Sequence, residues 1–263
     1  MEIRKVDAGQ IVEKVSELCM QANTQLPHDV IKTLEEAIQI EQSPLGKQAI
    51  SAILENARIS GQENIPLCQD CGMAVFMVEI GQQVCVSGGN FYAAVCEGVR
   101  QGYDKGFLRK SVVSQPFSGR MNTHDNTPPI IHIEMAEGDR IKIVFMPKGG
   151  GAENMSRVAM LKPGQGSACI KKLVRETVAT AGGSACPPVI IGLGIGGTLE
   201  KAAFLAKKSL VRPVGKPNDD PEIASLEREI LYEVNCLGIG PMGTGGVVTA
   251  LAVHAITYPC HIA

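Results

Sequence analysis

"PPIIHIEMAEGDRIKIVFMPKGGG", residues 128–151, contains the clearest strand pattern in the chain. Apolar and polar residues alternate on both sides of Glu137-Gly138-Asp139, which is the period of a β-strand with one buried face. A short turn with a central glycine between two such runs is typical of a β-hairpin. We therefore expect this stretch to form two antiparallel strands that pair with each other in the main sheet.

Helical patterns lie on both sides of this strand pair. In residues 1–60, apolar residues recur at spacings of three and four through three segments, and Asp7 can cap the first of them. Further helices are predicted at 90–106, 165–180, 199–211 and 220–235, and further strands at 73–81, 82–88 and 189–191. We interpret residues 1–263 as one α+β domain: a helical segment at 1–60, then a mixed sheet with flanking helices at 61–263.

The composition excludes several classes of function. The chain has 263 residues, of which 44% are hydrophobic, so it can bury a substantial core. A net charge of −2, an aromatic content of 4% and the absence of tryptophan argue against nucleic-acid binding. No apolar run is long enough to span a membrane, and the first ten residues lack the apolar core of a signal peptide. We expect a cytoplasmic protein with neither nucleic acid nor membrane as a partner.

Cysteine is unusually frequent for a cytoplasmic protein. The nine cysteines are Cys19, Cys68, Cys71, Cys85, Cys96, Cys169, Cys186, Cys236 and Cys260. Their number is odd and their spacing irregular, which argues against a framework of disulfides. Several are expected to be small buried residues, whereas those beside glycine, proline or polar residues are expected in loops.

Two of the loop cysteines form a Cys-x-x-Cys motif in "IPLCQDCGMAVF" (65–76). A zinc ribbon would need a second such motif, and the chain has none. A thioredoxin-like pair usually has small or apolar residues between its sulfurs and a helix after it, whereas here a strand is predicted to follow. Cys68 and Cys71 therefore remain candidates for a thiol redox pair, while Cys68 and Cys186 are candidates for shared ligation of an iron–sulfur cluster.

Two glycine-rich stretches could bring the backbone close to a ligand. "GLGIGGT" (192–198) lies between a predicted strand and a predicted helix, as in dinucleotide-binding folds, but no acidic residue ends the next predicted strand. A tight turn in which backbone approaches backbone is the alternative. In "PKGGGAENMS" (147–156), three consecutive glycines with nearby polar residues suit either a flexible turn or a small anionic ligand.

Five segments together resemble a known family. They are "IPLCQDCGMAVF", "PKGGGAENMS", "CPPVIIGLGIGGTLEKA", "NCLGIGPMGTGGVVTALAV" and "YPCHIA". In this order they are similar to the α subunit of the class I iron–sulfur fumarate hydratases, a family that includes the tartrate dehydratases. The resemblance covers nearly the whole chain and implies reversible hydration of fumarate to malate, a reaction of the tricarboxylic acid cycle, or the corresponding dehydration of tartrate.

The resemblance implies a [4Fe–4S] cluster bound by three cysteines. Cys68 and Cys186 match two of the ligands. The third is expected beyond Ala263, because neither Cys236 nor Cys260 matches its position. Threonine is common in the family where this chain has Cys71, so the resemblance gives the second sulfur of the Cys-x-x-Cys motif no role.

The resemblance also implies the remaining site residues and a partner. The matching substrate-binding residues are Gln69, Asp70, Arg109, Gly150 and Gly151, and the matching catalytic residues are Asp70 and His261. The substrate is a small dicarboxylate, and a β subunit supplies further substrate contacts and a threonine with an acid–base role. We therefore expect a heteromer whose α chain is inactive alone. Two other hypotheses remain, a non-catalytic binding or scaffold subunit and a thiol redox protein.

Overall fold

The computed structural model describes residues 3–262, apart from the side chain of Pro163, and its fold is α+β as predicted. Its helices and strands, in chain order, are β1 (Arg4–Asp7), α1 (Ala8–Thr24), α2 (His28–Ile40), α3 (Pro44–Glu63), β2 (Met73–Gly81), β3 (Val84–Ser87), α4 (Phe91–Lys105), β4 (Ile130–Ala136), β5 (Ile141–Lys148), α5 (Gly150–Asn154), α6 (Gly166–Ala181), β6 (Val189–Gly196), α7 (Leu199–Ser209), α8 (Pro221–Asn235) and β7 (Ala250–Tyr258). No helix within the described residues is long and apolar enough to cross a membrane.

The chain folds into two compact units. The first contains the residues up to Leu26 together with Asn56–Gly150, and the second contains Pro27–Glu55 together with the residues from Gly151 onward. Each unit has a separate cluster of buried apolar side chains. The description of the chain as a single domain stays a prediction, and the two units are described separately below.

The predicted hairpin at residues 128–151 is wrong in its pairing, although both of its strands form. The first unit contains a two-stranded sheet, β1-β3, and a three-stranded sheet with the order β4-β2-β5, so β2 lies between the two strands that we expected to pair. β2 runs parallel to β4 and antiparallel to β5. β2 takes the central position because it carries the most deeply buried side chains of the sheet, among them Phe76 and Val78, and a central strand is covered on both edges.

The turn between β4 and β5 crosses the end of β2 instead of closing a two-stranded ribbon. The backbone N–H groups of Gly81 and Gln83 donate to the carbonyl oxygens of Arg140 and Gly138 at 2.9 and 3.0 Å. A Cβ atom at Gly81 would lie 2.3 Å from the Gly138 carbonyl oxygen, so this crossing requires a residue without a side chain. The position of the turn was therefore predicted correctly, but the turn residues form hydrogen bonds with the end of β2 and the residues that follow it.

Helices α1 and α4 cross closely in the first unit. Asp7 caps α1 as predicted, since its carboxylate accepts the N–H of Gly9 at 2.8 Å. Glycines allow the approach of the two helices, because a Cβ atom at Gly98 would lie 2.6 Å from Val15 and one at Gly102 would lie 2.8 Å from the Ser16 carbonyl oxygen. Tyr103, which also lies on α4, is fully buried.

In the second unit, β6 and β7 form a parallel pair, and β6 is longer than the predicted strand at 189–191. The stretch predicted to be a glycine loop is mostly strand. A Cβ atom at Gly192 would lie 2.1 Å from the Ala206 carbonyl oxygen, and one at Gly194 would lie 1.9 Å from that of Ala202. The glycines therefore let α7 pack directly against the backbone of the strand. This supports the interpretation that the glycines allow close backbone packing, and it argues against a nucleotide-binding loop.

A buried carboxylate organises another part of the second unit. Glu41 follows α2, is 2% exposed, and accepts N–H groups from Ser43 and Val248, each at 2.8 Å. Val247 donates to the same carboxylate. Burial alone would raise the pKa of Glu41, but the backbone donors outweigh burial and lower it below its usual value. The residues that lead into β7 are thus fixed to the end of α2.

Candidate active site

The Cys-x-x-Cys motif forms a short loop between α3 and β2 in the first unit. The Cys68 side chain is exposed, and its sulfur accepts the backbone N–H of Asp70 at 3.4 Å. The thiol also lies 3.4 Å from the side-chain oxygen of Gln69, to which it donates. The loop therefore presents Cys68 at the surface with Gln69 and Asp70 directly beside it.

The carboxylate of Asp70 is fixed by two backbone donors from different parts of the first unit. One oxygen accepts the N–H of Gly72 at 2.9 Å, and the other accepts the N–H of Gly150 at 2.7 Å. A Cβ atom at Gly72 would lie 2.7 Å from the backbone of Lys148, and its φ of +67° also favours glycine. The end of β5 can therefore reach Asp70 because residues 72 and 150 are glycines.

Cys71 differs from Cys68 in exposure and in chemistry. Its side chain is 2% exposed, and its sulfur accepts the backbone N–H of Arg109 at 3.2 Å. Burial raises the pKa of the Cys71 thiol, whereas cysteines in redox pairs generally have a lowered thiol pKa. These features argue against the thiol redox hypothesis and are consistent with a packed second sulfur.

Arg109 is brought to the Asp70 loop through its backbone. It lies in the segment that follows α4, and its side chain is exposed. The hydrogen bond from the Arg109 N–H to the Cys71 sulfur holds the Arg109 backbone against the residue that follows Asp70. An exposed guanidinium on this segment is suited to binding a carboxylate group of a ligand.

Two residues of this region were not assigned a role from the sequence, namely Tyr103 and Asn126. The Tyr103 hydroxyl donates to the Cys71 carbonyl oxygen at 2.7 Å, and Asn126 is fully buried between the Asp70 loop and the Arg109 segment. The sequence did contain a signal for Tyr103. Its hydroxyl falls on the apolar face of α4, and a buried tyrosine usually has a hydrogen-bond partner.

Cys186 lies in the second unit, after α6 and the turn Gly182–Ala185. Its thiol is exposed, and its backbone is left-handed with a φ of 56°, an uncommon conformation for a residue with a side chain. Gly151 belongs to the same region, since a Cβ atom there would lie 2.8 Å from the carbonyl oxygen of Ser184. Strain of this kind is often found at functional sites.

The predicted site residues fall into two groups. The first unit brings together Cys68, Gln69, Asp70, Arg109 and Gly150. The second unit contains Cys186 and Gly151 in one region, and His261 in the exposed segment after β7. Within residues 3–262, no group of three histidine, cysteine or acidic side chains is arranged to hold a metal ion. The position expected for a third cysteine ligand lies outside the described residues.

Comparison with known proteins identifies the family. The sequence profile described as "Fumarate hydratase (Fumerase)" matches residues 12–263. The chain belongs to the fumarate hydratase family. The matched range includes most of both units and the positions of all the predicted site residues.

Individual members of the fumarate hydratase family are also similar over most of their length. The chain is 44% identical over 260 residues to the "Putative L(+)-tartrate dehydratase subunit alpha" of Methanocaldococcus jannaschii, covering 97% of this chain and 90% of the relative. It is 30% identical over 248 residues to the "L(+)-tartrate dehydratase subunit alpha" of Escherichia coli strain K12, covering 94% and 82%. The protein of that name in Shigella sonnei is similar to the same extent.

Proposed function

We propose that this chain is the α subunit of an iron–sulfur hydro-lyase that reversibly adds water to a four-carbon dicarboxylic acid. Membership of the fumarate hydratase family supports the reaction class and makes fumarate and malate the first candidate pair. The observation that carries the proposal is Asp70: two backbone N–H groups fix its carboxylate, and its own backbone N–H bonds the sulfur of the exposed Cys68.

L(+)-tartrate is the second candidate substrate. The relatives from Methanocaldococcus jannaschii and Escherichia coli are both named subunits of an L(+)-tartrate dehydratase. Tartrate and malate are both 2-hydroxy dicarboxylates, so the same chemistry removes a hydroxyl group from one carbon and a proton from its neighbour. The proposed site residues are therefore the same for either substrate.

The donor set of the described residues fits an iron–sulfur cluster in type. Cys68 and Cys186 are exposed free thiols, whereas Cys71 is buried, and cluster ligands are thiolates that must be accessible to iron. We propose Cys68 and Cys186 as two ligands, with the third expected beyond Ala263. When bound, a cluster with three cysteine ligands supplies an open iron that acts as a Lewis acid towards the substrate hydroxyl.

The residues of this chain would bind and orient the substrate. In the dehydration direction, a proton leaves the carbon beside one carboxylate, and the hydroxyl of the neighbouring carbon leaves and becomes water. Each oxygen of Asp70 already accepts one backbone N–H, so the carboxylate has a fixed orientation and retains lone pairs for the substrate hydroxyl or the departing water. We assign Asp70 to proton transfer or to orientation of that hydroxyl, and His261 to acid–base chemistry.

The other site residues would hold the ends of the substrate. The exposed guanidinium of Arg109 can bind a carboxylate through two parallel hydrogen bonds. The Gln69 side-chain amide can donate to a second oxygen, and Gly150 and Gly151 leave the backbone accessible because they carry no side chain. We propose that a β subunit completes this set, in agreement with the "subunit alpha" names of the relatives.

The first experiment measures turnover by the α chain, its β partner and the mixture. Anaerobically prepared proteins are assayed with malate, fumarate, mesaconate and L(+)-tartrate. We expect activity from the mixture with one of these acids and little or none from the α chain alone. Strong activity of the α chain alone would overturn the requirement for a partner, and a mixture inactive with all four acids would overturn the proposed function.

The second experiment measures iron. We expect Cys68→Ser and Cys186→Ser to lose most of the bound iron and the broad visible absorbance of the cluster, whereas Cys71→Ser, a matched control from the same loop, retains both. A colourless, iron-free parent protein assembled with its partner would instead support a scaffold subunit. Equal loss of iron in all three variants would contradict the assignment of ligands.

A further inference from the structure

A buried polar side chain connects the loop that contains Asp70 to the segment that contains Arg109. Asn126 is fully buried, and both ends of its side-chain amide bind backbone groups. Its oxygen accepts the N–H of Ser111 at 2.8 Å, and its nitrogen donates to the carbonyl oxygen of Gly72 at 3.1 Å. One side chain thus spans the Arg109 segment and the Asp70 loop.

These bonds continue into the site residues without interruption. Gly72 uses its carbonyl oxygen for Asn126 and its N–H for the Asp70 carboxylate at 2.9 Å. At the other end, Ser111 is two residues from Arg109. A chain of hydrogen bonds therefore runs from the Asp70 carboxylate through Gly72 and Asn126 to the Arg109 segment.

Both ends of this chain of hydrogen bonds have further contacts. On the Gly72 side, the Asp70 carboxylate also bonds Gly150, and the Tyr103 hydroxyl lies 3.3 Å from the Gly72 carbonyl oxygen. On the Arg109 side, the Arg109 N–H bonds the Cys71 sulfur, and the Lys110 carbonyl oxygen accepts the side-chain N–H of Asn122 at 2.8 Å. A thiol sulfur is a weak acceptor, so the two bonds of Asn126 form a stronger link between the Arg109 segment and the Asp70 loop than the Arg109–Cys71 bond does.

The backbone of Asn126 also shows that its position is imposed by its contacts. Its φ is 61°, in the left-handed region where non-glycine residues are uncommon, although asparagine is among the residues that tolerate it. Residues held in this region persist when the surrounding structure fixes them. Two satisfied bonds to backbone, full burial and a left-handed backbone together describe a residue that holds other segments in place.

We propose that Asn126 is a positioning residue that fixes the Arg109 segment relative to the Asp70 carboxylate. Its role in catalysis rests on the proposed function, whereas its role in holding the two loops together does not. Because the Asp70 carboxylate keeps its bonds to Gly72 and Gly150, loss of Asn126 shifts the Arg109 segment relative to the carboxylate and displaces the substrate-binding arginine. The effect on KM is therefore larger than the effect on kcat.

The variants are Asn126→Ala, Asn126→Asp and the control Asn90→Ala. Asn90 lies in the same unit and caps α4 by accepting the N–H of Ala93 at 3.1 Å, so its loss destabilises the unit without contacting either site loop. The Asn126→Asp side chain still accepts from Ser111. When ionised, however, it places an oxygen opposite the Gly72 carbonyl oxygen, and only its protonated form can donate there.

The first readout needs no substrate. Peptide-resolved hydrogen exchange is measured over residues 109–112, together with the alkylation rate of the buried Cys71 thiol in the full chain. For Asn126→Ala we expect exchange at least about tenfold faster than in the parent and faster alkylation of Cys71, because two buried hydrogen bonds are lost. For Asn126→Asp we expect protection near that of the parent at pH 5 and loss of protection at pH 8, after correction for the intrinsic exchange rate.

The second readout uses the enzyme assembled with its β partner. We expect Asn126→Ala to raise KM by about tenfold or more with a smaller change in kcat, and Asn90→Ala to leave both constants near the parent values. Exchange and KM that do not change in Asn126→Ala, or that change equally in Asn90→Ala, would overturn the proposal. If Asn126→Ala does not fold, pH-independent exchange in Asn126→Asp overturns it. A further outcome is that the assembled parent enzyme turns over no dicarboxylate while the Asn126 variants still exchange faster than the parent. That result would support the positioning role of Asn126 and reject the proposed function.

Discussion

The carboxylate of Glu41 accepts the backbone N–H of Val248 at 2.8 Å and so joins the end of α2 to the residues that lead into β7. The space for this contact depends on glycine, since a Cβ atom at Gly246 would lie 2.3 Å from a Glu41 oxygen and the φ of Gly246 is +135°. A buried carboxylate with several backbone donors contributes strongly to stability, because its removal leaves those donors without partners.

Replacing Glu41 with glutamine should therefore destabilise the protein. The amide nitrogen of Glu41→Gln would face backbone N–H groups that need an acceptor, and we expect a loss of about 2–4 kcal/mol in the free energy of unfolding. Glu36→Gln on α2 is the control, because the Glu36 side chain is 66% exposed and its ion pair with Lys32, at 3.8 Å, is on the surface. Urea denaturation measures both variants, and equal losses would contradict this account of Glu41.

The same carboxylate makes stability depend on pH. The folded pKa of Glu41 is lowered, so its contribution is fully present above the unfolded value of about 4.3 and is lost as the pH falls through the folded pKa. We expect the stability difference between the parent and Glu41→Gln to be constant from pH 5 to 7 and to shrink below about pH 4. Urea midpoints from pH 3 to 7 measure this difference. A difference that grew on acidification would contradict a lowered pKa of Glu41 in the folded protein.

Cys68 and Cys71 should react at very different rates in the cluster-free chain. Cys68 is exposed, whereas burial of Cys71 both hinders access and raises its thiol pKa. With iodoacetamide at pH 8 and a chelator present, we expect Cys68 to be alkylated at least about tenfold faster than Cys71. Cys19 provides the slow reference, since it is fully buried and burial raises its pKa to about 12. Mass spectrometry of the peptides resolves the three rates, and similar rates for Cys68 and Cys71 would restore the redox-pair hypothesis.

Gly194 on β6 should not tolerate a methyl group. In Gly194→Ala the new Cβ would lie 1.9 Å from the Ala202 carbonyl oxygen, so α7 must move away from the strand, and we expect a loss of about 3 kcal/mol in stability. Gly164→Ala is the matched control, because among the described residues no atom beyond its chain neighbours lies within 4 Å of its Cβ position. Thermal unfolding compares the two variants. A Gly194→Ala protein as stable as the control would contradict the close packing of α7 on β6.

Sequence patterns predicted the elements of this fold better than their pairing. Alternation along residues 130–136 and 141–148 correctly predicted two strands, because alternation depends only on which face of each strand is buried. The pairing depends on β2, which is distant in sequence and inserts between them. The glycines of β6 were ambiguous for a related reason, since nothing local distinguishes a glycine that approaches a ligand from one that approaches α7.

The candidate site shows the same division between local and long-range information. The covalent neighbours Cys68, Gln69 and Asp70 are necessarily close, so their association follows from the sequence alone. The position of Arg109 does not, because it depends on a bond between its backbone and the Cys71 sulfur. Asn126 was placed in a loop from the sequence, but its role was not predicted, since a polar residue in a predicted loop is usually solvated and only the folded chain shows that it is buried.

The central position of β2 has a consequence for the newly made chain. β2 is complete at Gly81, but its neighbours begin at Ile130 and end at Lys148, so both of its edges lack partners while the intervening residues are synthesised. At ~5–20 residues per second, this exposure lasts several seconds. An apolar strand with two open edges is a template for aggregation during that time. We therefore expect ribosome-bound chains that end before β5 to bind chaperones, and chains that extend beyond Lys148 to release them.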